Sequence, residues 1–248
     1  MQQILLTFDL EYWFESLSVQ KYLLGNEQDK IENFINNLIK LLQENNSTAT
    51  FFVTEKVLNN EPELIKKINN NQHEIAIHSI DHKPLWNKNP EDFDRELKIL
   101  INKIENLIEK KPIGHRAVNF SLDKTTSWAI EILKNNNLKY DSSVLPFGIK
   151  LNNFDLKNFK GIKIFSGGIY LRTIPWLLFK NLLKNKLKQT PACLYFHPFD
   201  FAEKKPEIKM PKIKKFIKYY NTKNSYKKLE YILKKYKCAS IENYLKTI

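Results

Sequence analysis

The segment 73–82 reads HEIAIHSIDH and holds three of the five histidines of a 248-residue chain. Its first part, with Ile75 and Ile77 around Ala76, is the short apolar run that a buried strand needs. The polar residues come at the end: His78 closes the run and His82 follows four residues on. His73 lies five residues before His78, on the opposite strand face, and reads as structural. A strand that delivers ligand-type side chains to its C-terminal end predicts an α/β sheet or barrel, whose working residues gather at strand mouths.

The flanking segments have the same alternation. ATFFV at 49–53 is β-branched and aromatic, a strand, and PELIKKINN at 62–70 is a short helix with proline in its first turn. ILLTFDL at 4–10 reads as the first buried strand. Ile31, Phe34, Ile35, Leu38, Ile39 and Leu42 then recur at three- and four-residue steps, which predicts a helix over 28–45. Asn89 can cap and Pro90 can open a helix over 90–110, which Pro112 stops. IGHRAVNF at 113–120 is strand and loop, 123–136 a helix, and YDSSV at 140–144 a short extended piece. The section 146–172 lacks a helical period and carries a Gly167–Gly168 turn. A helix over 175–188, a strand in ACLYFHPF at 192–199 and a final helix over 223–236 complete the order. Strands alternating with helices predict βα units and a mostly parallel sheet or barrel, as one domain over 1–248.

Asp9 and Glu11 end the first strand, two residues apart on one face. Charges after an apolar strand are costly to bury without partners. One carboxylate could hold a metal while the other serves as a base. If the chain turns helical after 78, the His78 and His82 rings meet on one face and can share an ion. Two imidazoles and one carboxylate leave coordination positions open, the catalytic arrangement of a metal site. Arg116 and Arg172 are two of only three arginines in a lysine-dominated chain. Their planar fork can grip a carboxylate with two hydrogen bonds. His197 follows LYF and could protonate a leaving group, since its pKa is near neutral.

Charge is uneven. Residues 1–179 hold 22 basic and 22 acidic residues; residues 180–248 hold 18 lysines and 5 acids, so the whole net charge of +13 lies there. A basic flank of this kind attracts anionic lipid, acidic glycan or nucleic acid. Aromatics interleave the lysines of 215–236 at the spacing of an amphipathic helix, which favours core burial, and no groove-reading motif supports nucleic acid. The lysine-rich part 200–248 is therefore expected to make peripheral membrane contact if it makes any. No apolar run approaches the roughly 18 residues of a membrane span. Cys193 and Cys238 sit in apolar surroundings and read as buried free thiols of a reducing compartment. MQQILLTFDLEYW lacks the form of a signal peptide. The expected location is cytoplasmic, with contact at the inner membrane face.

TFDLEYWF, HEIAIHSIDH, GHRAVNFS, YDSSV, GGIYLRTIPW and YFHPFDF follow in that order across about 5–245. This series resembles the motifs of the polysaccharide deacetylases of the NodB-homology group, carbohydrate esterase family four, most of all the exopolysaccharide (exosortase-associated) branch. The resemblance implies a deformed (β/α)7-type barrel and metal-dependent removal of N-acetyl groups from amino sugars of a polysaccharide or lipid-linked glycan. It implies Asp9 as base, with Arg116 orienting it, and Glu11, His78 and His82 as ligands of a divalent metal: zinc, or else manganese or cobalt. It implies that the Asn119 N–H helps hold the oxyanion, that His197 is the general acid, and that Gly168, Arg172 and Trp176 belong to the substrate cleft. Leu10 stands where the best-known pattern has a second aspartate, which leaves open whether Asp9 or Glu11 meets the ion. Val118 replaces a proline, Phe199 and Asp200 replace Trp and Glu, and the span between YDSS and the Gly-Gly pair is short. Two other readings compete: a deformylase or other amidohydrolase on a small or lipid-linked amido sugar, and a glycan-binding module that has lost activity on the same scaffold. The oligomeric state is left open.

Overall fold

The computed structural model describes residues 3–144, 159–202 and 206–248. β1 (Gln3–Leu10) is buried along its whole length because both faces are covered. Ile4, Leu6, Phe8 and Leu10 pack outward into the core that the helices share, while Leu5 points inward with Phe52, Ala76, Tyr140 and Cys193. Strand alternation then turns Thr7 and Asp9 inward too.

β1 pairs in parallel with β7 (Ala192–Phe196) along one edge. Along the other edge it pairs with β2 (Thr50–Thr54) over Thr7–Leu10 and with the short β8 (Lys237–Ala239) over Gln3–Leu5. From β2 the order runs through β3 (Glu74–Ser79), β4 (Gly114–His115), β5 (Tyr140–Val144) and β6 (Lys160–Gly167) to β7, and the β1–β2 pairing closes the ring. The result is the expected seven-stranded parallel barrel, with β8 as an extra strand. β4 and the bulges in β3, β5 and β6 deform it.

The predicted helices form as α1 (Ile31–Glu44), α3 (Pro62–Asn70), α4 (Pro90–Ile108), α5 (Trp128–Asn135), α7 (Trp176–Leu187) and α9 (Ser225–Lys235). Asn89 caps α4 by accepting from the Asp92 N–H at 2.8 Å. α4 ends at Glu109, in the left-handed region at φ 56°, so Pro112 follows the stop instead of making it. α5 starts later than predicted, because Thr126 ties the preceding turn through Asp123 N and Ser121 O. Gly167–Gly168 is not a turn: Gly168 opens α6 (Gly168–Thr173). Residues 146–158 of the section read as aperiodic lie outside the described residues.

Short elements escape the periodic reading: α2 (Glu55–Asn60), α8 (Lys212–Tyr219), β8 and α10 (Ile241–Leu245). α10 closes the N-terminal end of the barrel. Its Glu242 N–H donates to Glu74, which also accepts from Thr50 and Tyr140. Gly114 is required by this packing, since a Cβ there would fall 2.0 Å from the Tyr140 ring. His73 is buried against Phe51, and burial pulls its pKa down to about 4, as a structural histidine should behave. Cys193 and Cys238 are free and buried. No described helix is long and apolar enough to cross a membrane.

Candidate active site

The polar residues singled out above stand at or just past the C-terminal ends of four strands. Asp9 lies in β1, and a tight turn, in which the Glu11 N–H donates to the Asp9 carbonyl at 3.1 Å, brings Glu11 to the same mouth. His78 lies in β3. His82 reaches it by a route other than the helical turn expected: its backbone is left-handed, at φ 51°, and its N–H donates to Ser79 Oγ at 2.9 Å. The two rings end 5.4 Å apart.

Glu11, His78 and His82 are buried, and one ligand atom of each lies within 4.8 Å of the others. Glu11 Oε2 touches His82 Nε2 and is 3.7 Å from His78 Nε2. Atoms bound to one zinc at ~2.1 Å in a tetrahedron sit ~3.4 Å apart, so the Glu11–His78 spacing fits a shared ion, and the Glu11–His82 contact has to open to admit it. The His78 Nδ1–H donates to the Arg116 carbonyl at 2.7 Å, which leaves Nε2 bare toward Glu11. Such a partner fixes the tautomer that a metal needs. Burial pushes the Glu11 carboxyl up, but the adjacent histidines outweigh it and hold it well below the usual range. Burial pulls His82 down, and the Glu11 charge reverses that to a net rise. Two imidazoles, one anionic oxygen and an open side toward a cleft suit a divalent cation.

Asp9 is buried beside this trio. Its Oδ1 accepts from Arg116 Nη1 at 2.6 Å, and its Oδ2 is 3.7 Å from His197 Nε2. Arg116 has no exposed surface and lies 4.1 Å over the Phe52 ring. The two-bond grip expected of its fork is not made. Nη1 takes Asp9, while Nε and Nη2 take the Ser142 carbonyl and Oγ at 2.9 and 2.8 Å. The YDSS segment is thus a cradle for Arg116.

His197 is oriented by Asp200, whose Oδ2 accepts from the His197 backbone N–H at 2.9 Å and lies 3.2 Å from Nδ1. Phe199 stacks on the imidazole at 4.5 Å. Burial lowers the His197 pKa, but the Asp200 hydrogen bond and the charges of Glu11, Asp200 and Asp9 give a net rise. Arg172 donates from Nε to Asp200 Oδ1 at 3.0 Å, again with one bond, and from Nη1 to the Ile217 and Tyr220 carbonyls. A Cβ on Gly168 would fall 1.9 Å from Asp200 Oδ2.

Asp9, Glu11, His78, His82, His197 and Asp200 line one cleft of about 590 Å³, together with Asn119, while Arg116 stands behind Asp9 and outside that lining. Asn119 and Phe120 both have left-handed backbone, at φ 54° and 53°. For a bulky residue such as Phe120 this is strained, and strain of this kind gathers at functional sites. Trp176 is not brought to the cleft. It opens α7, stacks on Phe179 and meets Tyr231 of α9 edge-on. Gly168 and Arg172 do line the cleft, yet their contacts serve Asp200. In the sequence Asp200 stands out only as a departure from a pattern; its signal is an acid three residues past a histidine with proline between, a capped turn. Ser142 and Ser79 carried no signal beyond their motifs, and Lys218, also at the cleft, was hidden among lysines.

A family model described as polysaccharide deacetylase matches residues 2–140, and one described as a domain of unknown function (DUF3473) matches 154–246. No curated protein sequence matches the chain. Among solved structures, a Mycobacterium smegmatis protein described as a polysaccharide deacetylase has a TM-score of 0.69 at 16% identity, over 99% of this chain and 89% of that one. A family 4 carbohydrate esterase from Bacillus anthracis has a TM-score of 0.58 at 16% identity, over 100% and 84%. A CE4 family pseudoenzyme from Bacillus anthracis has a TM-score of 0.57 at 13% identity, over 98% and 65%. Identities this low speak to the fold alone.

Proposed function

The chain belongs to the polysaccharide deacetylase family, and on that premise we propose that it is a metal-dependent hydrolase that removes N-acetyl groups from amino sugars of a polysaccharide or lipid-linked glycan. The observation that carries this is the buried Glu11–His78–His82 trio with Asp9 and His197 facing it across one cleft. The order of motifs, with Leu10 between Asp9 and Glu11, supports the exopolysaccharide-associated branch. We place the reaction in the cytoplasm, on the two free thiols.

Glu11, His78 and His82 would hold the ion, zinc in our reading, and its Lewis acidity would polarise the acetamide carbonyl and acidify a water. Asp9 takes the proton of the attacking water. Arg116 aims Asp9, since its guanidinium is buried and has that carboxylate as its one anionic partner among the described residues. The Asn119 N–H donates to the carbonyl oxygen as charge builds there, an interaction stronger late in the step than early. His197 passes a proton to the departing nitrogen. The C–N bond breaks, water supplies the oxygen and two protons, and acetate and a free amino sugar leave.

The test is acetate release from N-acetylhexosamine oligomers and lipid-linked N-acetyl sugars by the zinc-loaded protein. We expect turnover in the wild type and its loss in Asp9→Asn. Formate from N-formyl sugars without acetate would instead establish the deformylase reading. Zinc-loaded protein that binds glycan and releases neither acid would make it a binding module.

A further inference from the structure

α8 runs along the rim of the cleft. Lys214 and Lys218 lie four residues apart, hence on one face of the helix, and both line the cleft. Lys218 Nζ lies 4.1 Å from the centre of the Phe199 ring, which itself stacks on His197. Its one hydrogen bond among the described residues is to Ser18 Oγ, at 3.4 Å. Within the described residues neither ammonium has a carboxylate oxygen within 4.0 Å. The acids whose charge reaches Lys218 are Glu11 and Asp200. Both are already engaged, Glu11 with two histidines and Asp200 with Arg172 and His197. Burial pulls the Lys218 pKa down to about 8, as expected of a cation held partly out of water without a counter-ion.

A neutral glycan would offer these two ammoniums only hydroxyl groups. Its deacetylated product would add a further ammonium beside them, and like charges at short range repel. A glycan with a negative group next to the reacting sugar resolves both difficulties. We propose that Lys214 and Lys218 form an anion subsite of the cleft, and that the amino sugar accepted there carries a carboxylate or phosphate on itself or on its neighbour. The proposal rests on the deacetylase reading for the reaction, and on the α8 geometry for the charge.

The test uses the full, zinc-loaded chain and three probes: a neutral N-acetylglucosamine tetramer, a tetrasaccharide alternating N-acetylglucosamine with glucuronate, and N-acetylglucosamine 1-phosphate. Binding is read by calorimetry and turnover by acetate release. The wild type should bind one of the charged probes at least about tenfold more tightly than the neutral tetramer, the typical value of one charge-assisted hydrogen bond. The advantage should shrink as salt rises. Which charged probe wins tells carboxylate from phosphate. Because the contact is made in ground and transition states alike, it should appear in KM more than in kcat. K218M keeps an apolar stem over Phe199, and with K214M it should bring the charged-to-neutral ratio to about one; K218R should keep the ratio, which a packing role alone would not require. Equal or undetectable binding of the charged probes by the wild type, or a ratio that survives in the K214M/K218M double variant, overturns the subsite. Acetate release from the neutral tetramer without any charge preference would leave the deacetylase reading standing and the subsite refuted. A charge preference in binding with no acetate from any probe would do the reverse.

Discussion

His197 stands between two carboxylates that do different things. Asp200 accepts from its backbone and Nδ1 side, and Asp9 lies 3.7 Å from Nε2. The net rise in the His197 pKa keeps it cationic to higher pH than a free histidine, as a proton donor must be. Asp200→Asn removes part of that support. It should shift the alkaline limb of the kcat profile to lower pH and, by loosening the ring, lower kcat; a pH–rate series on both proteins checks this. His197→Ala should slow turnover by roughly 10²–10⁴-fold, the usual size of general acid–base help, measured as initial acetate release under zinc saturation. At this scale the sequence was informative where chemistry restricts residue type. Asp9, Glu11, His78, His82, Arg116 and His197 all converge. It was uninformative where the role is to hold another residue. Ser142 could be read only from its place in a motif, because a serine that cradles a guanidinium looks like any serine. Trp176 has only its motif to point to the cleft, and its ring packs instead on Phe179 and Tyr231.

Among the elements, α6 shows why a glycine pair can mislead. Gly167–Gly168 has the composition of a turn, yet what Gly168 supplies is space: Asp200 lies where its Cβ would be. Gly168→Ala must displace a carboxylate that holds both His197 and Arg172. We expect a lower thermal midpoint and a loss of kcat of at least about tenfold, since misplacing a catalytic group by a fraction of an ångström has effects of that order or more; scanning calorimetry with the acetate assay reads both. Asn89→Ala removes the α4 cap and should cost about 1 kcal/mol with kinetics unchanged, checked by urea unfolding and turnover. Long elements were legible because three or four apolar turns fix a period, as in α1 and α4. α8 was not. Its Ile213, Phe216 and Ile217 recur at helical spacing but remain exposed at 75%, 58% and 50%, so the expectation that this lysine-rich stretch buries its apolar face fails there. It holds in the next helix, α9, which buries Leu229, Ile232 and Leu233. β8 and α10 are too short to carry a period at all.

For the molecule as a whole, the two ends of the barrel behave differently. The C-terminal end carries the polar cleft, and the N-terminal end is sealed by one buried acid. Burial raises the Glu74 pKa to about 7, against an ordinary 4.5, despite hydrogen bonds from Thr50, Tyr140 and Glu242. A raised carboxyl binds its proton more tightly in the folded state than in the unfolded one. Its contribution to stability is therefore greatest below about pH 4.5 and is lost as pH climbs from there to about 7. The full swing is on the order of 3 kcal/mol. Glu74→Gln cannot ionise, so its unfolding free energy should lack this fall across the same window. A slope equal to the wild type's would remove Glu74 as the cause. The closed ring itself was readable from the alternation of strands and helices, whereas the eighth strand and the sealing helix depend on contacts between distant parts of the chain, which no local pattern records.

The account depends on a cation site made by Glu11, His78 and His82. Zinc titration by calorimetry, on the wild type and on three variants, tests it most directly. We predict one tight site per chain in the wild type, kept in Asp9→Asn and abolished in Glu11→Ala and His78→Ala. Tight binding that persists in Glu11→Ala and His78→Ala, or no binding by the wild type, would contradict it.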